Sequence, residues 1–206
     1  AIIKIVKEFE GIGKNTTIVD LGSTKQKIIE AVPESIRQNF IPAHPMAGTE
    51  YYGPTAAFSG LFKDAVVAIC DFKESGEMHV KRSVELFSHL GMKIIFMSAA
   101  EHDHHASVIS HLPHAISFSL ASSVLKKENK KNIIALSGTG FNGMIRIAKS
   151  SPVMWTDIFK QNKQNLINSI DLFKKELDEC ENLIKNEQWD ELREWMGEAR
   201  KIREIL

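Results

Sequence analysis

Apolar residues in the first half of the chain form four short, nearly continuous runs that are rich in β-branched side chains. Short apolar runs of this kind are typical of strands that are buried on both faces of a parallel sheet. The four predicted strands cover residues 17–21, 40–43, 65–70 and 93–96.

Helix signals lie between these runs. Residues 24–31 form the first predicted helix, with Ser23 or Thr24 as its N-cap. Residues 77–90 form the second, which ends at Gly91. Strands that alternate with helices predict an α/β region built on part of a Rossmann-like parallel sheet.

The second half of the chain has a different pattern. From about residue 99 the β-branched runs disappear, and apolar residues recur at steps of three and four, as in amphipathic helices. We therefore predict an all-α region and divide the chain into residues 1–97 and 98–206. One apolar stripe consists of Leu166, Ile170, Phe173, Leu177, Cys180 and Ile184, and a second of Trp189, Leu192, Trp195, Ala199, Ile202 and Leu206.

These stripes pack either inside the helical bundle of one chain or against a second copy of the chain. Periodicity alone does not separate the two arrangements. We favour a homodimer, because a helical region of this size buries little apolar area by itself.

Composition and charge exclude several classes of partner. The 206 residues include 26 Lys and Arg against 26 Asp and Glu. Because these charges balance, we expect neither nucleic acid nor an anionic membrane as a partner. We also see no apolar run long enough to cross a bilayer. Cys70 and Cys180 lie far apart without metal-ligand spacing, so we expect reduced thiols and a cytoplasmic location.

Four polar motifs interrupt the predicted elements. Each places small or turn-forming residues beside a hydroxyl, an imidazole or a guanidinium, which is the composition of a ligand site rather than of a core. In chain order the motifs are DLGSTK at residues 20–25, HPMAGTE at 44–50, SHLPH at 110–114 and RIAKSSPVMW at 146–155. Taken together, they resemble the motifs of the prephenate dehydrogenase family.

This resemblance implies an NAD(P)-dependent oxidoreductase that converts prephenate to 4-hydroxyphenylpyruvate by oxidative decarboxylation, in tyrosine biosynthesis. It also implies that residues 1–97 are the C-terminal half of a dinucleotide-binding domain and that residues 98–206 are a helical substrate and dimerisation domain. We expect an N-terminally truncated chain that is inactive alone. Two alternatives stay open: an arogenate dehydrogenase, and an inert fragment that dimerises or binds tyrosine as an inhibitor.

The resemblance assigns roles to the polar residues of the motifs. His44 is expected to accept the proton of the substrate hydroxyl through a neutral imidazole, which Ser23 orients. In neutral surroundings its pKa would lie near the ordinary value of about 6.5. Arg146 is expected to bind a substrate carboxylate through its planar guanidinium. Further expected substrate-binding residues are His114, Ser110, Thr49, Glu50 and Trp155.

Three features limit what the resemblance carries over. A dinucleotide site needs a strand, a Gly-x-Gly-x-x-Gly turn and a helix, whereas Gly11-Ile12-Gly13 precedes a strand and lacks the third glycine. No cofactor-binding residue can therefore be named, and the cofactor is NAD or NADP. Asn142 stands where the family often has a basic residue. The cluster at residues 101–105, EHDHH, is interpreted as the polar first turn of a long helix rather than as a metal site.

Overall fold

The computed structural model describes residues 2–9, 11–49, 51 and 53–205. The chain forms two compact units, Ala1–Leu166 and Ile167–Leu206. The four predicted strands are all present in the first unit, so the α/β prediction for the first half of the chain is confirmed. They are β1 (Ile18–Asp20), β2 (Phe40–Pro45), β3 (Val66–Cys70) and β4 (Lys93–Met97), in the sheet order β1-β2-β3-β4.

The sheet is mixed rather than wholly parallel. β1 and β2 are parallel, as are β3 and β4, but β2 and β3 run antiparallel, with His44 opposite Ala68. A parallel connection needs a long crossover, usually a helix. The described part of the chain between β2 and β3 contains only the short 3₁₀ turn Pro54–Ala56 and no α-helix. Without a crossover helix, β3 returns beside β2 in the opposite direction.

The helices follow the predicted division between an α/β region and a helical region. Three accompany the sheet and seven follow it among the described residues. They are α1 (Ile2–Val6), α2 (Gln26–Ile29), α3 (Glu77–His89), α4 (Ala99–Ala106), α5 (Leu112–Lys127), α6 (Lys130–Leu136), α7 (Thr139–Ile145), α8 (Pro152–Gln161), α9 (Lys163–Lys185) and α10 (Trp189–Ala199). Wider or tighter helical turns join some of them, including a π-helical turn over Ser107–His111.

Apolar side chains cover the sheet from both faces. Ile41 and Val67 are fully buried in a cluster with Phe87 of α3. Phe40, the neighbour of Ile41 on β2, packs in a second cluster that includes Ile28 of α2. Because successive residues of a strand point to opposite faces, the continuous apolar run of β2 is the sequence signature of this double burial.

Helix boundaries show which local signals decide the fold. α3 ends as predicted, with Gly91 in the left-handed region at a φ of 75°. α2 differs from its prediction: it is only four residues long, and no side chain of the preceding residues caps it. The hydroxyl of Thr24 instead donates to Oε1 of Gln161, at 2.8 Å. The predicted N-cap at Ser23 or Thr24 was therefore wrong, and the groups that replace it lie in the functional site.

The helical stretch from Ala99 to Lys127 corrects the expectation about apolar runs. Its length and composition are sufficient to cross a membrane, with a mean hydropathy of 1.3 over its best 18 residues. The same stretch carries His102 and Asp103, which are buried and hydrogen-bonded to polar groups of the α/β region. Length and composition therefore do not by themselves identify this helix as a membrane span.

The second unit, Ile167–Leu206, contains most of α9 and all of α10. The predicted helical periodicity is confirmed through α10, beyond which residues 200–204 form a 3₁₀ turn. Nε1 of Trp195 donates to the carboxylate of Glu176 at 3.3 Å. Leu177, Ile184 and Trp189 of the two predicted stripes stay about half exposed. Leu206, the last residue of the second stripe, lies outside the described residues.

Candidate active site

A cavity of about 290 Å³ lies at the carboxyl end of β2. Ligands of α/β sheets characteristically bind at this edge, where the chain leaves the strand. The cavity brings together side chains from three of the four sequence motifs, which are far apart along the chain. Its predicted site residues are His44, Thr49, Ser110, His114, Arg146 and Trp155. Glu50, which was also predicted to lie here, is outside the described residues.

The helices fix one wall of this cavity. Ser110 lies in the π-helical turn that joins α4 to α5, and π-helical turns recur at functional sites. Nδ1 of His114 contacts the backbone oxygen of Ser110 at 2.9 Å, one turn away. Because the carbonyl oxygen can only accept, Nδ1 of His114 carries the proton of this hydrogen bond.

The motif at residues 146–155 lines the same cavity. Arg146 begins a short 3₁₀ turn, and α8 starts at Pro152, with Ser151 as its N-cap. Trp155 of α8 is buried and stacks on the ring of His114, with 3.5 Å between the ring centroids. Burial lowers the pKa of His114, and the charge of Arg146 lowers it further. The aromatic pair and the guanidinium therefore lie on the same side of the cavity.

His44 is held by a second histidine that the sequence analysis did not assign to the site. Nδ1 of His44 lies 2.8 Å from Nε2 of His102, and Nδ1 of His102 lies 2.8 Å from Oδ1 of Asp103. His102 and Asp103 are 4% and 2% exposed. The interpretation of residues 101–105 as a polar first turn holds for Glu101, which forms a capping box with Ser98, but not for this buried pair.

The carboxylate of Asp103 also caps the N-terminus of α2, where no local side chain does so. Its Oδ1 accepts the backbone N–H of Lys25 at 2.8 Å, and its Oδ2 accepts that of Gln26 at 3.0 Å. These hydrogen bonds and the contact with His102 hold the pKa of Asp103 below its usual value despite burial. A residue 78 positions away thus satisfies the backbone groups that Ser23 or Thr24 was expected to cap.

A buried lysine lies next to this network. The side chain of Lys25 is fully buried, and its ammonium donates to Asp20 and, at 2.6 Å, to the carbonyl oxygen of Ala43. Asp20 also accepts the backbone N–H of Gly22 at 2.8 Å. The last residue of β1 and the residue before His44 are therefore joined through one ammonium group.

The electrostatic surroundings of His44 favour the neutral ring. Burial, together with the neighbouring His102, Lys25 and His111, lowers its pKa to about 3. The expectation of an ordinary pKa near 6.5 assumed neutral surroundings and is corrected by this arrangement. At neutral pH the imidazole of His44 is uncharged and retains one nitrogen that can accept a proton.

His111 lies behind the cavity rather than in its wall. Its ring is fully buried, and burial lowers its pKa to about 4. Nδ1 of His111 lies 3.2 Å from the side-chain nitrogen of Asn162, which also donates to the backbone oxygen of Asp103 at 2.6 Å. Asn162 thereby joins the start of α9 to the helix that carries His102 and Asp103.

Ser23 lies in a different place from the one predicted. It lines an adjoining cavity of about 460 Å³ at the carboxyl end of β1, which shares Met154 with the cavity of His44. His102, and not Ser23, is the hydrogen-bonding partner of His44 at Nδ1. Gly22 fits tightly here, because a Cβ would lie 2.7 Å from the side chain of Ile2.

Two other sequence expectations concern anion and metal binding. Asn142 is exposed, and its side chain donates to the backbone oxygen of Ser137 at 3.5 Å. It is not among the residues that line the His44 cavity. Within the described part of the chain, no group of three or more His, Cys, Asp or Glu side chains is arranged to hold a metal ion.

Comparison with known proteins places this geometry in a family. Residues 1–96 match the family model described as "Prephenate dehydrogenase, nucleotide-binding domain", and residues 98–198 match "Prephenate dehydrogenase, dimerization domain". The chain belongs to the prephenate dehydrogenase family. The match to the family's nucleotide-binding domain and the NAD⁺ complex of a solved relative confirm the predicted NAD(P)-dependent oxidoreductase class and its cofactor class.

Individual members of the prephenate dehydrogenase family are about one-third identical to the chain. The cyclohexadienyl dehydrogenase of Zymomonas mobilis is 32% identical over 94% of this chain and 67% of its own length. The chain spans 54% and 52% of the length of two further curated relatives, both prephenate dehydrogenases.

Solved structures of the prephenate dehydrogenase family share the fold. A prephenate dehydrogenase of Aquifex aeolicus, in complex with hydroxyphenyl propionate and NAD⁺, is 32% identical, with a TM-score of 0.88 over 98% of this chain and 71% of its own. An arogenate dehydrogenase of Synechocystis is 25% identical, with a TM-score of 0.78 over 98% of this chain and 73% of its own.

Proposed function

We propose that this chain provides the substrate site of a dehydrogenase that oxidises prephenate to 4-hydroxyphenylpyruvate with NAD(P)⁺ and releases carbon dioxide. The observation that supports this proposal most directly is the shared cavity of His44 and Arg146. A neutral imidazole that can accept a proton and a guanidinium that can bind a carboxylate match the two kinds of polar group on this substrate.

His44 is the proposed catalytic residue. The ring carbon that bears the hydroxyl loses hydrogen with its electron pair, and a bound NAD(P)⁺ supplies the acceptor for that hydride. His44 accepts the hydroxyl proton, so the carbon becomes a carbonyl carbon. The bond to the ring carboxylate then breaks, carbon dioxide leaves and its electron pair completes the aromatic ring. The phenolate oxygen takes the proton back from His44, which returns to its neutral form.

Arg146 is proposed to bind a carboxylate of the substrate. Prephenate has two carboxylates, and a guanidinium can form two parallel hydrogen bonds to one of them. Ser110 and Thr49 add hydroxyl groups to the same cavity, and Trp155 and His114 provide a stacked aromatic wall. This arrangement would orient the substrate ring between the aromatic wall and His44.

The adjoining cavity has the features expected for the nicotinamide part of the cofactor. It lies at the carboxyl end of β1, and its lining is mainly apolar, with polar side chains from Ser23, Thr24, Ser151, Asp157 and Gln161. A Cβ at Gly22 would force the side chains of Ile2, Asp20 and Ile28 to shift. Because the two cavities share Met154, a ring bound beside Ser23 would lie next to a substrate bound at His44. Ser23 is proposed to contact this ring or the substrate hydroxyl.

Arogenate is the second candidate substrate, because the Synechocystis arogenate dehydrogenase has the same fold over 98% of this chain. Arogenate has an amino group where prephenate has a keto group. Formation of reduced nicotinamide by the full-length gene product, measured with each substrate and with NAD⁺ or NADP⁺, tests both candidates. We expect the higher kcat/KM with prephenate. A higher kcat/KM with arogenate would identify arogenate, and not prephenate, as the substrate.

A lack of turnover with both substrates would contradict the proposed reaction. Tyrosine binding without turnover, measured by calorimetry, would instead support a module that only binds the aromatic product.

A homodimer through the helical region is the proposed assembly, in the cytoplasm. The match to a dimerisation domain and the half-exposed Leu177 and Ile184 support it. Sedimentation equilibrium should give twice the mass of the chain. Leu177→Glu should shift the equilibrium toward monomer, whereas a monomeric wild-type protein would contradict the proposal.

A further inference from the structure

The contact between His44 and His102 decides which nitrogen of His44 can act. The starting point is Asp103, whose carboxylate accepts two backbone N–H groups, from Lys25 and Gln26. These donors and the lowered pKa of Asp103 mean that the carboxylate is ionised and has no proton to donate. Nδ1 of His102, 2.8 Å from this carboxylate, must therefore carry a proton.

The same reasoning extends to the next ring. When His102 carries a single proton, its position on Nδ1 leaves Nε2 as an acceptor. That nitrogen lies 2.8 Å from Nδ1 of His44, so Nδ1 of His44 must be the donor. The proton of His44 is thereby placed on Nδ1, and its Nε2 is left with a free electron pair.

We propose that His102 and Asp103 are positioning residues, which fix the tautomer and the ring orientation of His44 so that its Nε2 accepts the substrate proton. This inference rests on the proposed function, because it adds the residues that prepare the proposed base. A carboxylate that orients a histidine through a hydrogen bond is an arrangement used by other enzymes. Here a second imidazole lies between the carboxylate and the base.

The surrounding charges agree with this proton placement. His102, Lys25 and His111 each lower the pKa of His44, so all three disfavour a positively charged His44 ring. Asp103 acts in the opposite direction, but it contacts His102 directly rather than His44. A neutral His44 with a defined tautomer therefore suits both the hydrogen bonds and the charges.

A matched pair of variants separates positioning from simple packing. His102→Asn places an amide where Nδ1 was, so it keeps a donor for Asp103 and loses the acceptor for His44. His102→Gln places its amide near the position of Nε2, so its oxygen can accept from His44 while the contact with Asp103 is lost. Asp103 itself is a poor test, because it also caps α2.

The expected result in the full-length protein is a decrease in kcat of roughly 10- to 100-fold for His102→Asn, with a KM close to that of the wild type. His102→Gln should recover most of that loss. Equal activity of the two variants, or higher activity of His102→Asn, would overturn the inference. Melting temperatures of both variants check that they are folded.

The tautomer of His44 provides a readout that does not depend on activity. ¹⁵N chemical shifts of the wild-type imidazole, assigned by comparison with His44→Asn, distinguish a protonated nitrogen from one with a free electron pair. We expect a protonated Nδ1. A protonated Nε2 would overturn the inference even in an active enzyme. Conversely, the expected tautomer in a protein that oxidises neither prephenate nor arogenate would contradict the proposed function and leave the positioning intact.

Discussion

The two compact units of the chain differ in how many charged and polar groups they bury. In Ala1–Leu166, charged and polar groups such as Lys25, Asp103 and His111 are fully or almost fully buried. In Ile167–Leu206, by contrast, Leu177 and Trp189 are more than half exposed, and the ion pairs lie on the surface.

This difference agrees with the proposed roles, in which the first unit carries the reaction and the second takes part in assembly. A buried polar group must find its partners inside the protein, because an unpartnered one costs free energy. The first unit therefore fixes its side chains in defined positions, which a reaction requires. The second unit leaves apolar area uncovered, which is typical of a surface that another protein covers.

The largest expected effect is on stability, at the buried ion pair. Lys25→Met leaves Asp20 as a buried charge without its ammonium partner and should lower the free energy of unfolding by about 3–5 kcal/mol. The matched control is Lys185→Met in the second unit, which removes an exposed pair with Glu181 and should cost under about 1 kcal/mol. Urea unfolding of both variants measures the difference. An equal decrease in the free energy of unfolding for the two variants would contradict the contrast between the two units.

The next effect is on substrate binding. Arg146→Leu removes the guanidinium and should lower kcat/KM by about 10- to 100-fold, mostly through a higher KM, because a charged hydrogen bond contributes about 1.5–3 kcal/mol. Arg146→Lys keeps the charge without the planar pair of donors, so its loss should be smaller. Steady-state kinetics of the full-length protein distinguish the variants. An unchanged KM in Arg146→Leu would remove this residue from the proposed site.

A smaller effect is expected on stability below neutral pH. The pKa of His44 in the folded chain is about 3 and that of His111 about 4, whereas an unfolded histidine has a pKa of about 6.5. Between these values the unfolded chain binds more protons, so stability falls as the pH drops below about 6.5. The loss should be about 1 kcal/mol per ring at pH 5.5.

Urea unfolding at pH 7 and pH 5.5 measures this loss. His44→Asn should reduce the pH dependence, because it removes one of the rings whose pKa is lowered in the folded chain. A free energy of unfolding that is the same at both pH values would contradict the burial of neutral histidines in the first unit.

The sequence was sufficient to predict those parts of the fold that depend on the local pattern of residues. The four strands follow from runs of apolar residues, and the end of α3 follows from Gly91, whose backbone adopts a positive φ. Six of the site residues that were predicted from the motifs also line the His44 cavity. Their roles in binding and catalysis stay predictions.

The missed features depend on contacts between distant residues. Asp103 caps α2 from 78 positions away, so the local expectation of a cap at Ser23 or Thr24 failed. His102 approaches His44 across 58 positions, and the only sequence signal was an unusual cluster of histidines beside an aspartate. The antiparallel pairing of β2 and β3 likewise depends on the connection between them rather than on the composition of either strand.

The most direct test of the account is the turnover number of His44→Asn in the full-length protein. Asparagine keeps a donor where Nδ1 contacts His102 and removes the nitrogen that accepts the proton. We predict a decrease in kcat of about 10²- to 10⁴-fold, with a KM within a few-fold of the wild type and an unchanged melting temperature. A kcat equal to that of the wild type would contradict the central claim that His44 is the base.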